Sequence, residues 1–142
     1  MSKVKSCQFV DVSNKGDHVM KKVLIADDTA LFREMIKNAL SSEEYHIVGE
    51  AVTGDEAVDM YKEKNPDLMV LDINMPKMNG IDALVAVRKY DPKARVIMCS
   101  DQKYEGMIVL AIKKGAKDFI VKPFNTSDVL RAVNKAFEEG EG

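Results

Sequence analysis

The chain has 142 residues, of which 46% are hydrophobic and 31% charged, a balance that indicates a folded globular domain and excludes disorder along most of its length. Its 21 Lys and Arg residues nearly offset 23 Asp and Glu residues, and the net charge of -2 excludes a nucleic-acid binder that relies on strong positive charge. No apolar run approaches the ~20 residues of a membrane span, so no membrane insertion is expected. The presence of only two cysteines favours a reducing, cytoplasmic setting.

The first segment of the chain, residues 1–20, carries no long periodic pattern and contains several turn-forming residues. We expect a flexible leader there, and a short strand at Gln8–Val12 is a further hypothesis. Residues 21–139 are predicted to form one domain, because the pattern changes at Lys21 and then repeats.

Short apolar runs alternate with helical patterns from Lys22 onward. In chain order, the predicted elements are a strand at Lys22–Ala26, a helix on which Leu31, Met35, Ile36, Ala39 and Leu40 share a face, a strand at His46–Val52 and a helix at Gly54–Lys64. They continue with a strand at Asp67–Leu71, a helix at Ile81–Lys89, a strand at Arg95–Cys99, a helix at Glu105–Lys114, a strand at Lys117–Val121 and a last helix from Asn125 to Glu139. This alternation predicts an α/β fold with a parallel sheet covered on both faces. The chain is too short for a closed barrel of about 250 residues.

Polar residues follow the predicted strands at the points where the strands end. Because the carboxyl ends of parallel strands lie along one edge, where open α/β sheets bind ligands, we expect these side chains to converge. The residues are Asp27, Asp28, Thr53, Asp72, Ser100 and Lys122. Each of these residues, taken alone, is most simply a helix cap, a turn residue or a surface lysine. Their joint occurrence at the ends of the strands indicates one shared site.

The chemistry of this set favours metal-assisted phosphoryl transfer. Packed carboxylates repel one another unless a cation or protons compensate, and oxygen ligands suit Mg²⁺. Lys122 can pair with phosphoryl oxygens, and Ser100 can donate a hydrogen bond to them. A carboxylate is a competent phosphoryl acceptor, so Asp72 is the predicted nucleophile.

Several segments together resemble the receiver domain of two-component response regulators. They are Val23–Asp28, Leu71–Pro76, Met78–Gly80, Ile97–Ser100 and Gly115–Phe124. The resemblance covers residues 21–138 and rests on the joint spacing of these motifs. It implies a flavodoxin-like, doubly wound sheet of five parallel strands in the order 2-1-3-4-5.

The resemblance also implies the roles of the acidic residues. Asp72 is expected to be the phosphoacceptor and a ligand of Mg²⁺ or Mn²⁺. Asp28 is expected to bind the metal directly and Asp27 through a water molecule, while Asn74 contributes its backbone carbonyl.

The resemblance implies a switch as well. Lys122 is expected to bind the phosphoryl oxygens and to precede Pro123 through a cis peptide bond. Ser100 is expected to move toward the phosphoryl group, and Phe119 to turn inward when Ser100 moves. The surface formed by the fourth helix, fifth strand and fifth helix would then change its partner binding.

The chain departs from the family pattern after Ser100, where receiver domains usually carry Ala or Gly. Here Asp101 adds bulk and negative charge beside the phosphoryl path, and we hypothesise that it slows phosphorylation or raises the requirement for Mg²⁺. Asn74 and Gln102 flank the site and are expected to tune hydrolysis by positioning or blocking water.

The leading functional prediction is a stand-alone response regulator that accepts a phosphoryl group from a sensor histidine kinase onto Asp72. We expect it to act as a monomer in chemotaxis, on a downstream protein such as a flagellar motor switch or a phosphatase. No output domain is expected, because the sequence ends soon after the fifth predicted helix. The alternative is a phosphorelay intermediate that passes the phosphoryl group to a histidine phosphotransfer protein.

Three other classes of protein have less support. A phosphatase of an aspartyl-phosphate fold would carry an acidic residue where Asn74 stands. A flavodoxin-like binder of an anionic cofactor is disfavoured by the acidic edge of the predicted sheet. A pseudo-receiver that binds partners without phosphorylation is disfavoured because Asp72, Ser100 and Lys122 are all present.

Overall fold

The computed structural model describes residues 20–101 and 105–139 of the chain. The hypothetical strand at Gln8–Val12, the rest of the predicted leader up to residue 19, and Gln102 lie outside the described residues. Within the described ranges, no helix has the length and apolar character that crossing a membrane requires.

Strands and helices alternate through the described chain, as the sequence predicts. The first half contains β1 (Lys21–Ala26), α1 (Ala30–Ala39), β2 (Tyr45–Ala51), α2 (Gly54–Lys64) and β3 (Leu68–Asp72). The second half contains α3 (Gly80–Tyr90), β4 (Val96–Asp101), α4 (Glu105–Lys113), β5 (Asp118–Lys122) and α5 (Thr126–Glu139). The boundaries differ from the predicted ones by only one or two residues, as is usual at element ends.

The five strands form one parallel sheet in the order β2-β1-β3-β4-β5. The predicted doubly wound fold and its strand order are therefore confirmed. The order matters for the site because β1 and β3 are neighbours, and Ala26 of β1 pairs with Leu71 of β3. The residues that follow these two partners, Asp27 and Asp72, are thereby brought to the same point of the sheet edge.

The sheet divides the core into two layers, because successive strand residues point to opposite faces. In β1, Leu24 and Ala26 pack on the side of α2, α3 and α4. Val23 and Ile25 pack on the side of α1 and α5. All four side chains are almost completely buried. This burial on both faces explains why the strands read as continuous apolar runs rather than as alternating ones.

The buried face of α1 differs from the prediction at its start. Leu31 is 63% exposed, whereas Phe32 packs on the core with Ile36 and Leu40. The core residues follow a spacing of four, and Leu31 lies about 100° around the helix from Phe32, so it faces solvent. The prediction that Leu31 shares the apolar face is wrong for this reason.

The loop between β3 and α3 is packed closely against its neighbours at two glycines. A Cβ atom at Gly80 would overlap the carbonyl oxygen of Asp72, and one at Gly54 would overlap the carbonyl oxygen of Met78. The Gly80 N–H also donates to the Ile73 carbonyl oxygen at 2.7 Å. The absence of side chains at these glycines lets the loop fold back onto the end of β3, which fixes the position of Asp72.

Candidate functional site

Three carboxylates gather at the carboxyl edge of the sheet. Asp72 is the last residue of β3, and Asp27 directly follows β1; the two residues are 4% and 1% exposed. Asp28 is exposed at the rim, and one oxygen from each of the three carboxylates lies within 4.8 Å of the others. The structure thus brings together the three acidic residues that the sequence predicts to converge.

The loop that carries Asp27 is held from several sides. The Thr29 N–H donates to Asp27 Oδ1 at 2.9 Å. Arg33, one turn along α1, donates from Nη1 to the Asp27 carbonyl oxygen at 2.8 Å and from Nε to Glu50 Oε1 on β2 at 2.9 Å. Arg33 therefore ties this loop to the neighbouring strand. Arg33 is not among the predicted site residues, although its place one turn into the predicted helix is a usable signal.

Lys122, the last residue of β5, brings a positive charge to the cluster. Its side chain is 7% exposed, and its Nζ lies 2.9 Å from Asp27 Oδ2 and 3.4 Å from Asp72 Oδ1. Burial lowers the pKa of Lys122, but the pairing with Asp27 and Asp72 outweighs it and holds that pKa above its usual value. Lys122 therefore stays charged. The bond to Pro123 is cis, as expected from the resemblance.

The single ammonium group does not balance the acidic cluster. Burial, and then the charge of Asp27, raise the pKa of Asp72 to about 7, with Lys122 acting in the opposite direction. Asp27 Oδ2 is ion-paired with Lys122, yet it has no hydrogen-bond partner of good geometry among the described residues. A cluster of three carboxylates faced by a single ammonium group is compatible with a divalent metal ion, which prefers such oxygen donors.

An open pocket of about 210 Å³ lies over these groups. Its walls include Asn74 and Asp101, both of which are predicted from the sequence to lie beside the site. Asp101 is exposed at the end of β4, directly paired in the sheet with Lys122. The pocket thus combines Asp28, Asp72 and Lys122 with two of the three residues predicted to modulate the site.

Ser100 and Phe119 lie on the adjacent strands β4 and β5. Ser100 is buried, and its Oγ donates to the Asp101 carbonyl oxygen at 2.9 Å. Phe119 is 42% exposed. The hydroxyl is therefore engaged with the backbone of β4, and the ring faces outward.

Thr53 is not part of the pocket, so its predicted convergence with the other polar residues is wrong. Its Oγ1 accepts the Glu56 N–H at 3.1 Å, and Glu56 Oε1 accepts the Val52 N–H at 2.8 Å. These reciprocal bonds satisfy donors at the start of α2.

Phe32 lines the pocket wall and is not among the predicted site residues. Its ring centroid lies 4.3 Å from Lys122 Nζ and 5.5 Å from the ring centroid of Phe124. Phe32 stands at a spacing of four from Ile36 and Leu40, but Leu31 stands at the same spacing from Met35 and Ala39, so periodicity alone does not select Phe32 for the inner face of α1.

The raised pKa of Asp72 predicts how stability depends on pH in metal-free protein. With a pKa near 7 in the folded state and about 4 in the unfolded state, the Asp72 carboxyl keeps its proton longer in the folded protein. Its contribution to the free energy of unfolding is therefore complete below about pH 4 and is lost as the pH rises through about 7. Asp72→Asn removes this loss, so we expect the variant to be more stable than wild type by about 2–4 kcal/mol at pH 8. Urea denaturation in a chelator should show the difference shrinking toward pH 5.

An exposed acidic residue on α2 provides the control for this measurement. Asp59→Asn removes one carboxylate from the surface, and we expect no comparable pH-dependent gain. A stability difference between the Asp72→Asn protein and wild type that is constant from pH 5 to pH 8 would show that burial of an ionised Asp72 is not its cause.

Comparison with known proteins gives matches over most of the chain. Residues 23–134 match the family described as the response regulator receiver domain. The chain is 51% identical over 115 residues to the chemotaxis protein CheY of Thermotoga maritima, covering 81% of this chain and 96% of that protein. It is 52% identical over 117 residues to CheY of Listeria monocytogenes, covering 82% of this chain and 98% of that protein.

A solved structure shares both the fold and the sequence similarity. The crystal structure of the CheX-CheY-BeF3-Mg²⁺ complex from Borrelia burgdorferi contains a chain that matches with a TM-score of 0.78 and 40% identity. The match covers 82% of this chain and 89% of that one. Because the similarity extends over nearly the whole sheet and its helices, this chain belongs to the receiver domain family of response regulators.

Proposed function

We propose that the protein is a chemotaxis response regulator that accepts a phosphoryl group from the phosphohistidine of a sensor kinase onto Asp72. The observation that carries the proposal is the buried carboxylate of Asp72, 3.4 Å from the Lys122 ammonium group and inside a cluster of three acidic residues. Receiver domains are signalling switches rather than classical enzymes, and the relatives named CheY support the role in chemotaxis.

In the proposed reaction, a carboxylate oxygen of Asp72 forms a bond to phosphorus. The bond between phosphorus and the donor's imidazole nitrogen breaks, and that nitrogen keeps the electron pair. Lys122 binds the oxygens of the transferred group. Asp28 and Asp72, Asp27 through water, and the backbone carbonyl of Asn74 would hold Mg²⁺ or Mn²⁺. When bound, the ion supplies positive charge against the negative charge that gathers on the phosphoryl oxygens.

Phosphorylation is proposed to shift a two-state equilibrium. The new group adds negative charge and acceptor oxygens beside Ser100, whose hydroxyl now donates to the Asp101 backbone. Ser100 exchanges that partner for a phosphoryl oxygen, and the exposed ring of Phe119 turns inward into the space it vacates. The phosphoryl group is thus the ligand that favours the second state.

The surface of α4, β5 and α5 is the proposed output site. Val109 and Ile112 of α4 and Phe119 of β5 are 55%, 43% and 42% exposed, so these elements offer apolar contact area to a partner. The sensor kinase is the proposed upstream partner, and a flagellar motor switch protein or a phosphatase the downstream one. The Borrelia burgdorferi relative is described in complex with CheX, which supports a downstream protein partner for this chain.

A phosphorelay intermediate remains the second candidate, because the same acidic site would serve both roles. The two differ in the fate of the phosphoryl group. A relay protein passes it from Asp72 to a histidine phosphotransfer domain, whereas a motor regulator keeps it while bound to its partner.

The test combines phosphorylation and binding. The protein is incubated with acetyl phosphate with and without Mg²⁺, and an Asp72 acyl phosphate is sought by its lability to hydroxylamine. The phosphorylated protein is then presented to an immobilised motor-switch peptide and, separately, to a histidine phosphotransfer domain. We expect Mg²⁺-dependent labelling and tighter peptide binding. Onward transfer without peptide binding would favour the relay instead, and no labelling would overturn both.

Asp101 provides a prediction about the rate of this reaction. Its carboxylate lines the pocket at the end of β4 and adds negative charge on the path of an anionic donor. We expect Asp101→Ala to phosphorylate about 3- to 10-fold faster with acetyl phosphate, since a like charge at about 4 Å across water costs about 1 kcal/mol. Asp101→Asn, which keeps the size, separates charge from bulk. Equal rates for all three proteins at every Mg²⁺ concentration would contradict the hypothesis.

A further inference from the structure

The aromatic ring of Phe32 lies against the buried ammonium group of Lys122. The Nζ atom is 4.3 Å from the ring centroid, well inside the ~6 Å range of cation–π attraction. The ring also packs against Phe124, with the two ring planes tilted by 41°. Because Phe32 lies on α1 and Phe124 follows β5, the ring connects the element after Asp27 with the loop after Lys122.

The surroundings of Lys122 give the ring a specific role. An ammonium group has three donor hydrogens, and the oxygens of Asp27 and Asp72 lie at 2.9 and 3.4 Å. The ring of Phe32 covers a further side with a face that attracts cations but is only a weak hydrogen-bond acceptor. The ring therefore excludes water from that side of the ammonium group. Because it is a weak acceptor, it leaves the N–H groups of Lys122 able to donate to an incoming phosphoryl oxygen.

We propose that Phe32 is a positioning residue for Lys122. Its ring fixes the ammonium group at the pocket wall, beside Asp72, in the place where it meets the oxygens of a phosphoryl donor. The inference rests on the proposed function, because this placement accelerates a reaction only if Asp72 accepts a phosphoryl group. Phe32 acts through Lys122 and not on the reacting atoms.

A fluorination series tests the electrostatic part of the inference. Replacing Phe32 with 4-fluoro-, 3,5-difluoro- and 3,4,5-trifluorophenylalanine weakens the negative ring face stepwise and changes its shape little. We expect the rate of Asp72 phosphorylation by acetyl phosphate, at saturating Mg²⁺, to fall with each fluorine. Phe32→Leu should lower it about 3- to 30-fold, and Phe32→Tyr should retain most of it.

A matched control exists elsewhere on the sheet. Phe137 on α5 also contacts a cation, with Lys21 Nζ 4.9 Å from its ring centroid, at the start of β1 and away from the acidic pocket. Phe137→Leu should change the stability of the protein but not the phosphorylation rate of its folded fraction. A rate loss in this variant as large as that of Phe32→Leu would show a general effect of losing a ring and would overturn the inference.

Nuclear magnetic resonance of Lys122 gives a second readout that needs neither metal nor donor. The ε-methylene protons of Lys122 should carry a ring-current shift that Phe32→Leu abolishes and Phe32→Tyr preserves. Retention of the shift in Phe32→Leu, or a rate that does not respond to fluorination, overturns this inference alone. Absence of Asp72 labelling in the wild-type protein overturns the proposed function together with it.

Discussion

Asp72→Asn is expected to abolish acyl-phosphate formation. Asparagine has nearly the same shape as aspartate, so the fold and the contact of Lys122 with Asp27 at 2.9 Å should survive. The amide, however, is not a competent nucleophile toward phosphorus, and removal of a nucleophile typically costs at least about 10³-fold in rate. Labelling from radioactive acetyl phosphate with Mg²⁺, followed by hydroxylamine treatment, measures the change.

Two further variants show whether the loss belongs to Asp72 itself. Asp59→Asn removes an exposed carboxylate from α2 and should leave labelling unchanged. Asp28→Asn removes a carboxylate at the rim of the same cluster but keeps the acceptor. We expect this variant to need a higher Mg²⁺ concentration for half-maximal labelling. Full-rate labelling of the Asp72→Asn protein would mean that another residue accepts the phosphoryl group and that the assignment is wrong.

Gly80→Ala is expected to cause the second large effect, on both stability and reaction. The new methyl group would overlap the carbonyl oxygen of Asp72, a backbone atom that cannot turn away as a side chain can. The loop after β3 must shift, and we expect a loss of about 2–3 kcal/mol in the free energy of unfolding. Because the shift displaces Asp72, the proposed phosphoacceptor, the phosphorylation rate should fall by at least about tenfold.

Gly106 in α4 provides the matched glycine for this experiment. A Cβ atom there meets nothing within 4 Å, so Gly106→Ala should stabilise the helix by about 0.5–1 kcal/mol. Urea denaturation and acetyl phosphate kinetics on both variants separate the steric effect from the general effect of adding a methyl group. Equal stability of the Gly80→Ala and Gly106→Ala proteins would contradict the close packing on Asp72.

Much of the fold could be predicted because its signals are local. Each buried strand is a short apolar run, and each helix repeats its apolar residues at a spacing close to one turn. The first turn of α1 shows the limit of this reasoning. Leu31 and Phe32 are adjacent apolar residues at a helix end, and the choice between them depends on where α1 sits over the sheet, which periodicity does not specify.

The residues of the site could also be predicted from local patterns, but not all of their contacts could. The position of each polar residue at the end of its strand anticipates that Asp27, Asp72 and Lys122 meet at one edge. Thr53 occupies an equivalent position in the sequence, yet it caps α2. The difference arises because the Thr53 hydroxyl is engaged at the start of α2, whereas the longer side chain of Lys122 reaches Asp27 and Asp72 from β5. The strand order, which decides these neighbours, came from a family resemblance rather than from spacing.

The sequence by itself determined the alternation of elements, the apolar strands and the residue types that end them, since these depend on neighbours along the chain. Only the tertiary structure decided the distances: which carboxylate oxygens lie within 4.8 Å, and which ring lies 4.3 Å from Lys122. It also decided that burial raises the pKa of Asp72 to about 7. These properties depend on contacts between residues far apart in sequence, because desolvation and charge interactions act through space.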